Sequence, residues 1–116
     1  MHEMALTRSV LDIAVEEAER AGAREIRSIR MTVGYARDMV EELFEKCFVY
    51  LSRNTIAEHA ELVLHRTPIV VHCDACGMPY HMDLSADQVR PCPLCGTEDY
   101  DVVSGLEFQI DEIEVA

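Results

Sequence analysis

Four cysteines form two Cys-x-x-Cys pairs, Cys73 with Cys76 and Cys92 with Cys95, and a glycine follows each pair. Fifteen residues separate the pairs. This spacing is typical of a structural zinc site, because each pair can turn both sulfurs onto one tetrahedral cation. Two disulfides, or one redox pair beside an unrelated pair, fit less well, since nothing looks secreted and no thioredoxin-like strand and helix surround either pair. We predict Zn²⁺ held by all four cysteines.

The first three residues, Met1-His2-Glu3, offer a different kind of metal site. The Met1 amine, the His2 amide and the His2 imidazole can bind one ion together and close a five-membered and a six-membered chelate ring. A fourth ligand could come from the Glu3 amide, the Glu3 carboxylate or a remote side chain. Such nitrogen-rich coordination suits Ni(II) or Cu(II). The alternative is that His2 is simply solvated and poorly ordered, as terminal residues usually are.

Two further histidines, His72 and His81, flank or lie within the cysteine segment. Either could support the metal site or act as an alternate ligand, although an exposed loop position is the commoner state of a polar residue. Cys47 lies in a helical apolar stripe and is expected to be a small core residue. Gly-rich phosphate loops and nucleophile elbows are absent from the sequence, so the chain offers no nucleotide site of its own.

The net charge of the chain is −12, from 22 acidic and 10 basic residues among 116. Such a surface repels phosphate backbones and favours cations or basic protein surfaces, unless the acids simply keep the protein soluble. No apolar run is long enough to cross a membrane. The start of the chain does not resemble a signal peptide, and the unpaired Cys47 fits a reducing compartment. These features predict a cytoplasmic protein that binds neither nucleic acid nor membrane.

Two amphipathic helices are predicted from apolar residues at three- and four-residue intervals. The first covers residues 5–21 and ends before Gly22. The second carries a stripe over residues 40–51, and Asp38 with Glu41 resembles a capping box at its start.

Alternating apolar residues predict strands over residues 24–34 and 61–71, and a final strand in which Leu106, Phe108 and Ile110 alternate after residues 100–104. Pro68 places an edge or a bend in the second of these, because proline cannot donate a ladder hydrogen bond. A change of parity near Asp111 predicts a bulge in the last.

This order of elements predicts the α+β class, with two helices packed on a small β-sheet and an inserted four-cysteine module that resembles a zinc ribbon. We expect residues 1–71 plus 101–116 to form a discontinuous α+β domain. Residues 72–100 should form the zinc-binding module.

Taken together, the sequence resembles the HypA/HybF family of nickel-incorporation proteins. The resemblance rests on the Met-His-Glu start, the two cysteine pairs with their glycines, and the segments Thr55-Ile56-Ala57-Glu58, Ser104-Gly105-Leu106-Glu107 and Ile113-Glu114-Val115. It covers essentially the whole chain. Family members often have glycine where this chain has Asn54 and His59.

The resemblance implies a metallochaperone that carries Ni²⁺ on the starting segment, centred on His2, and holds structural Zn²⁺ on the four cysteines. It implies two partners, a nickel-loading GTPase of the HypB type and the precursor of the hydrogenase large subunit, with a role in urease maturation for some members. We expect a monomer or a weak homodimer.

The main alternative is a zinc-ribbon module that binds protein or nucleic acid and has no nickel function. A nucleic-acid module would need a basic stripe near the cysteines. The segment offers only Arg90 and carries Asp74, Asp83 and Asp87. The charge of the module therefore favours the metallochaperone.

Overall fold

A computed structural model describes residues 2–82 and 90–116 of the chain. The predicted α+β class is confirmed, with two helices and six strands in this part of the chain. The strands form two three-stranded sheets, ordered β2-β1-β6 and β4-β3-β5, where a single small sheet was predicted. In chain order the elements are α1 (Glu3–Arg20), β1 (Ile26–Gly34), α2 (Glu41–Leu51), β2 (Glu61–Thr67), β3 (Val70–Cys73), β4 (Pro79–His81), β5 (Tyr100–Ser104) and β6 (Phe108–Val115).

The described chain divides into two compact units. We call the first the helical unit; it comprises Met1–Thr32, Asp38–His65 and Gln109–Ala116. The second, the cysteine unit, comprises Val33–Arg37 and Arg66–Phe108. The helical unit contains both helices, and the cysteine unit contains the whole of the β4-β3-β5 sheet.

Helix α1 is amphipathic, as the apolar spacing predicts. Val10, Ala14 and Ala18 are buried at four-residue intervals, whereas Ile13 is 52% exposed. The helix starts at Glu3, two residues earlier than predicted, so the starting segment is tied to regular structure. Within the described residues, neither helix combines the length and the apolar character that a membrane crossing needs.

Helix α2 buries Phe44, Cys47 and Phe48, which confirms Cys47 as a core residue. The predicted stripe is too wide, because Val40 and Leu43 are 54% and 44% exposed.

The predicted capping box at the start of α2 is wrong. The N-cap residue is Val40, two positions after Asp38, and the Val40 side chain makes no capping hydrogen bond. Asp38 therefore lies too early in the chain to act as the N-cap residue.

Strand β1 buries Ile29, Met31 and Val33 in strict alternation, which confirms the predicted strand. Strand β6 runs antiparallel to it, since the Gly34 N–H donates to the Glu107 carbonyl at 2.7 Å near one end and the Ala116 N–H donates to the Glu25 carbonyl at 2.9 Å at the other. The half-buried positions of β6 are 108, 110 and 113, and this shift of parity supports the predicted bulge near Asp111.

The segment predicted as one strand over residues 61–71 forms two strands that belong to different sheets. β2 ends at Thr67 and β3 starts at Val70, so the break falls on Pro68 and Ile69. A proline has no N–H for a ladder, which is the physical reason for a break at this position. The short strand β4, with a proline as its first residue, was not predicted.

Candidate metal centres

The structure brings the four predicted zinc ligands together. The Sγ atoms of Cys73, Cys76, Cys92 and Cys95 all lie within 4.8 Å of one another. The Cys73 and Cys95 sulfurs are 3.4 Å apart, and those of Cys76 and Cys92 are 3.6 Å apart. A tetrahedral ion with Zn–S bonds of about 2.3 Å spaces its sulfurs by about 3.8 Å, whereas a disulfide requires about 2.05 Å. The cluster therefore fits Zn²⁺, and all four cysteines are free thiols.

Each cysteine pair lies on a tight turn closed by its glycine. The Gly77 N–H donates to the Cys73 carbonyl at 2.8 Å, and the Gly96 N–H donates to the Cys92 carbonyl at 2.9 Å. The two glycines have φ values of +76° and +77°, a left-handed conformation that side chains other than glycine adopt at a cost. The two turns thus have the same geometry and present their sulfurs in the same way.

Backbone N–H groups point at the first sulfur of each pair. The Ala75 N–H lies 3.4 Å from the Cys73 sulfur, and the Leu94 N–H lies 3.4 Å from the Cys92 sulfur. Such contacts orient a ligating thiolate and stabilise its negative charge. The turn that brings the sulfurs together therefore also prepares them for a cation.

The thiols do not ionise equally well in this cluster. Hydrogen bonds from the side chain and backbone of Thr97 lower the pKa of Cys95 to about 6. The Met78 backbone stabilises the Cys76 thiolate, but burial and the neighbouring sulfurs outweigh this and raise the pKa of Cys76 to about 12. Four thiolates this close repel one another, so full deprotonation calls for a divalent cation among them.

A small core beneath the cysteines anchors the module to its sheet. Cys73 is the last residue of β3 and pairs across the sheet with Tyr100 of β5. Val71, Tyr80 and Met82 are buried against Cys73 and Cys92. The cysteine positions are thus fixed by strand pairing and by a few apolar contacts.

The starting segment forms the first turn of α1. His2 is exposed and is the N-cap residue, and its carbonyl accepts the Leu6 N–H at 2.9 Å. Its own amide precedes the helical ladder, in which the first N–H groups have no acceptor. Met1, the third predicted contributor to nickel binding, lies outside the described residues.

Glu3 differs from His2 in its surroundings. Its side chain is only 2% exposed, and one carboxylate oxygen accepts the Val40 N–H at 2.9 Å. The terminal ammonium group and the Val40 backbone both lower the pKa of the Glu3 carboxyl, to about 2. Glu3 is therefore an ionised group that connects the start of α1 to the start of α2.

A second group of metal-ligating side chains lies in the cysteine unit, and it was missed in the sequence. Ligand atoms of His72, Asp74 and Asp101 all lie within 4.8 Å of one another. His72 is directly opposite Asp101 in the pairing of β3 with β5. A side-chain hydrogen bond with Asp101, together with burial, raises the pKa of Asp74. His81 is exposed on β4 and belongs to neither group of described ligands.

The fold and the cysteine cluster define a small α+β protein that carries a four-cysteine metal centre. A protein-family model described as "Hydrogenase/urease nickel incorporation, metallochaperone, hypA" matches residues 1–115. The chain belongs to this family.

Curated relatives and solved structures agree with this assignment. The chain is 36% identical to "Hydrogenase maturation factor HypA" of Geobacter metallireducens, over 99% of both chains. It is equally similar to a protein of the same name from Dehalococcoides mccartyi, covering 99% of this chain and 94% of the relative.

The fold matches the solution structure of the Ni metallochaperone HypA from Helicobacter pylori. The TM-score is 0.67 at 20% identity, with 99% of this chain and 97% of that chain covered. A second solution structure of a HypA protein matches with a TM-score of 0.73 at 20% identity, over 100% and 97% of the two chains.

Asn54 has an unusual backbone conformation for a residue with a side chain. It has a φ of +63° and is the single described residue other than glycine with a positive φ. Asparagine tolerates this left-handed region better than most residues. An asparagine at this position therefore holds the left-handed backbone at less cost than most other side chains would.

Proposed function

We propose that this chain is a nickel metallochaperone that takes up Ni(II) at its amino-terminal segment and delivers it during maturation of nickel-iron hydrogenase. The observation that carries the proposal is the family match, which runs from residue 1 to residue 115 and so includes both the Met-His-Glu start and the cysteine pairs. The chain acts as a carrier and not as an enzyme.

The nickel ligands are the Met1 amine, the His2 amide and imidazole, and a group of Glu3. The exposure of His2 at the N-cap position supports this assignment, because an ion there can be loaded and released without unfolding the protein. An amide nitrogen that loses its proton to a metal gains negative charge, and the start of a helix favours negative charge. One Glu3 oxygen already accepts the Val40 N–H, so Glu3 also fixes the position of the segment.

The zinc site has a structural role in this proposal. Its four thiolates close the coordination sphere and leave no open position for a substrate. Metal binding stabilises the inserted module, whose apolar core is small. On this basis residues 72–100 act as the zinc module, and residues 1–71 with 101–116 act as the nickel-binding domain.

The proposed partners are a nickel-loading GTPase of the HypB type and the precursor of the hydrogenase large subunit. The net charge of −12 favours basic partner surfaces and disfavours nucleic acid. We propose a cytoplasmic monomer or weak homodimer, since the carrier must meet its partners separately.

Titration calorimetry with Ni(II) on untagged, zinc-loaded protein tests the nickel site. His2→Ala should remove the tightest nickel and leave one zinc per chain. His65→Ala, which changes an exposed histidine on β2, should leave the tightest nickel in place. One extra residue before Met1 should weaken binding nearly as much as His2→Ala, because the primary amine becomes an amide. Unchanged nickel stoichiometry and affinity in His2→Ala would refute the proposal.

A further inference from the structure

The cysteine unit contains an imidazole and two carboxylates that converge beside the four-cysteine centre but take no part in it. His72 on β3 and Asp101 on β5 are cross-strand partners, so the sheet register fixes their separation. Asp74 follows Cys73 into the first metal-binding turn, and its N–H donates to the Asp99 carbonyl at 3.2 Å. The positions of all three side chains therefore depend on the strands and on the turn.

The distances leave room for an ion between these groups. The Nε2 atom of His72 lies 3.8 Å from an Asp101 carboxylate oxygen, which is too long for a hydrogen bond. A divalent ion with ligand bonds of about 2.1 Å can bridge atoms up to about 4.2 Å apart. The distance between the His72 imidazole and the Asp101 carboxylate is thus too long for a hydrogen bond but within the span that a bridging metal ion allows.

The orientation of the His72 ring leaves Nε2 as the nitrogen available to a metal. The Nδ1 atom is buried and has no hydrogen-bond partner among the described residues. Nδ1 lacks a hydrogen-bond partner in either neutral tautomer. Placing the ring proton on Nδ1 therefore breaks no hydrogen bond of Nδ1, and it frees the Nε2 lone pair for a metal. The Nε2 atom faces the carboxylate and is the nitrogen that an ion from solvent can reach.

We propose that His72, Asp74 and Asp101 hold a second divalent transition-metal ion, separate from the four-cysteine centre. One imidazole with two carboxylates suits borderline ions such as Ni(II), Co(II) and Zn(II). The side chains of His72 and Asp101 are 43% and 67% exposed, so water completes the coordination and the ion exchanges readily. The site therefore differs from the closed sulfur cluster in both ligand type and lability.

The experiment uses full-length, zinc-loaded His2→Ala protein, in which the proposed amino-terminal nickel site is removed. Ni(II) is added while ¹H–¹⁵N NMR spectra and calorimetric heats are recorded. Paramagnetic broadening should appear first at residues 72, 74 and 101. The calorimetric heats should show one nickel bound per chain besides the zinc, more weakly than the amino-terminal nickel of the wild type. Because the background lacks His2, this result is independent of the proposed amino-terminal site.

Two substitutions and one matched control complete the test. Asp101→Asn keeps the side-chain size, changes neither a cysteine nor a sequence neighbour of one, and should weaken this nickel at least about tenfold, the usual lower limit even for groups that only support a ligand. His72→Gln should do the same. Asp12→Asn on α1 should have no effect. Broadening that starts elsewhere, or affinity unchanged in Asp101→Asn, would overturn the proposal, as would the absence of any additional nickel.

Discussion

The Glu3 carboxylate accepts a hydrogen bond from the Val40 N–H at 2.9 Å, across 37 positions of sequence. In a capping box, the N3 residue of the helix would accept this N–H. The N3 residue of α2 is Leu43, whose side chain has no hydrogen-bond acceptor. Glu3 on α1 accepts the Val40 N–H instead. The negative charge also lies at the positive end of the α2 dipole.

Glu3→Gln should lower the thermal stability of the protein, because a neutral amide forms a weaker hydrogen bond and no longer complements the helix dipole. Differential scanning calorimetry of the zinc-loaded protein measures the change. Glu19→Gln is the matched control, since Glu19 is an exposed residue of the same helix. Equal melting temperatures for the two variants would show that the contact between α1 and α2 contributes nothing.

Gly34→Ala should be severely destabilising, by about 3 kcal/mol or more, because it forces two backbone segments apart. A Cβ on Gly34 would overlap the Gly105 carbonyl and lie 2.6 Å from the Leu106 nitrogen. Gly22→Ala is the comparison. Gly22 has a φ of +70° with open space around it, so only backbone strain of about 1–2 kcal/mol is expected there. Urea denaturation should rank the two variants in this order, and a milder effect at Gly34 would be evidence against the close approach.

Cys92→Ser should lose zinc and expose the segment between the cysteine pairs to proteolysis, because three thiolates cannot close the tetrahedral site. Metal analysis and a trypsin time course are the measurements. Cys47→Ala is the control, since Cys47 is buried in the helical unit. It should cost about 1 kcal/mol of stability and keep its zinc. Wild-type protease resistance in Cys92→Ser would contradict a structural role for zinc.

The Glu107 carboxylate should make folding stability depend on pH in the acid range. It accepts hydrogen bonds from its own backbone N–H, from the Gly105 N–H and from the Thr67 hydroxyl, and these lower its pKa below the usual 4.5. A depressed folded-state pKa stabilises the protein above pH 4.5, and this contribution is lost as the pH falls through the folded value.

Urea denaturation between pH 7 and pH 3 tests this dependence. The stability difference between the wild type and Glu107→Gln should be largest near neutral pH and should shrink below pH 4.5. Glu58→Gln, an exposed position, supplies the control. A difference that is constant across the range would mean that Glu107 does not act through its charge.

Local patterns in the sequence were sufficient to predict the helices, an irregularity at Pro68 and the cysteine cluster, because each depends on residues that are close in the chain. The division of that strand between two sheets was not predicted. The cap of α2 could not be predicted in this way, since its acceptor comes from Glu3 on another helix. The pairing of His72 with Asp101 depends on strand register, which spacing along one strand does not determine.

The cysteine segment leaves its sheet on two strands that remain hydrogen-bonded to each other, β3 at Cys73 and β5 at Tyr100. Once one cysteine pair has captured an ion, the second pair approaches it as part of the same molecule, at a high effective concentration that the strand pairing sets. Closure of the centre after the first pair has bound an ion should therefore be fast and independent of protein concentration, since no second molecule takes part in that step.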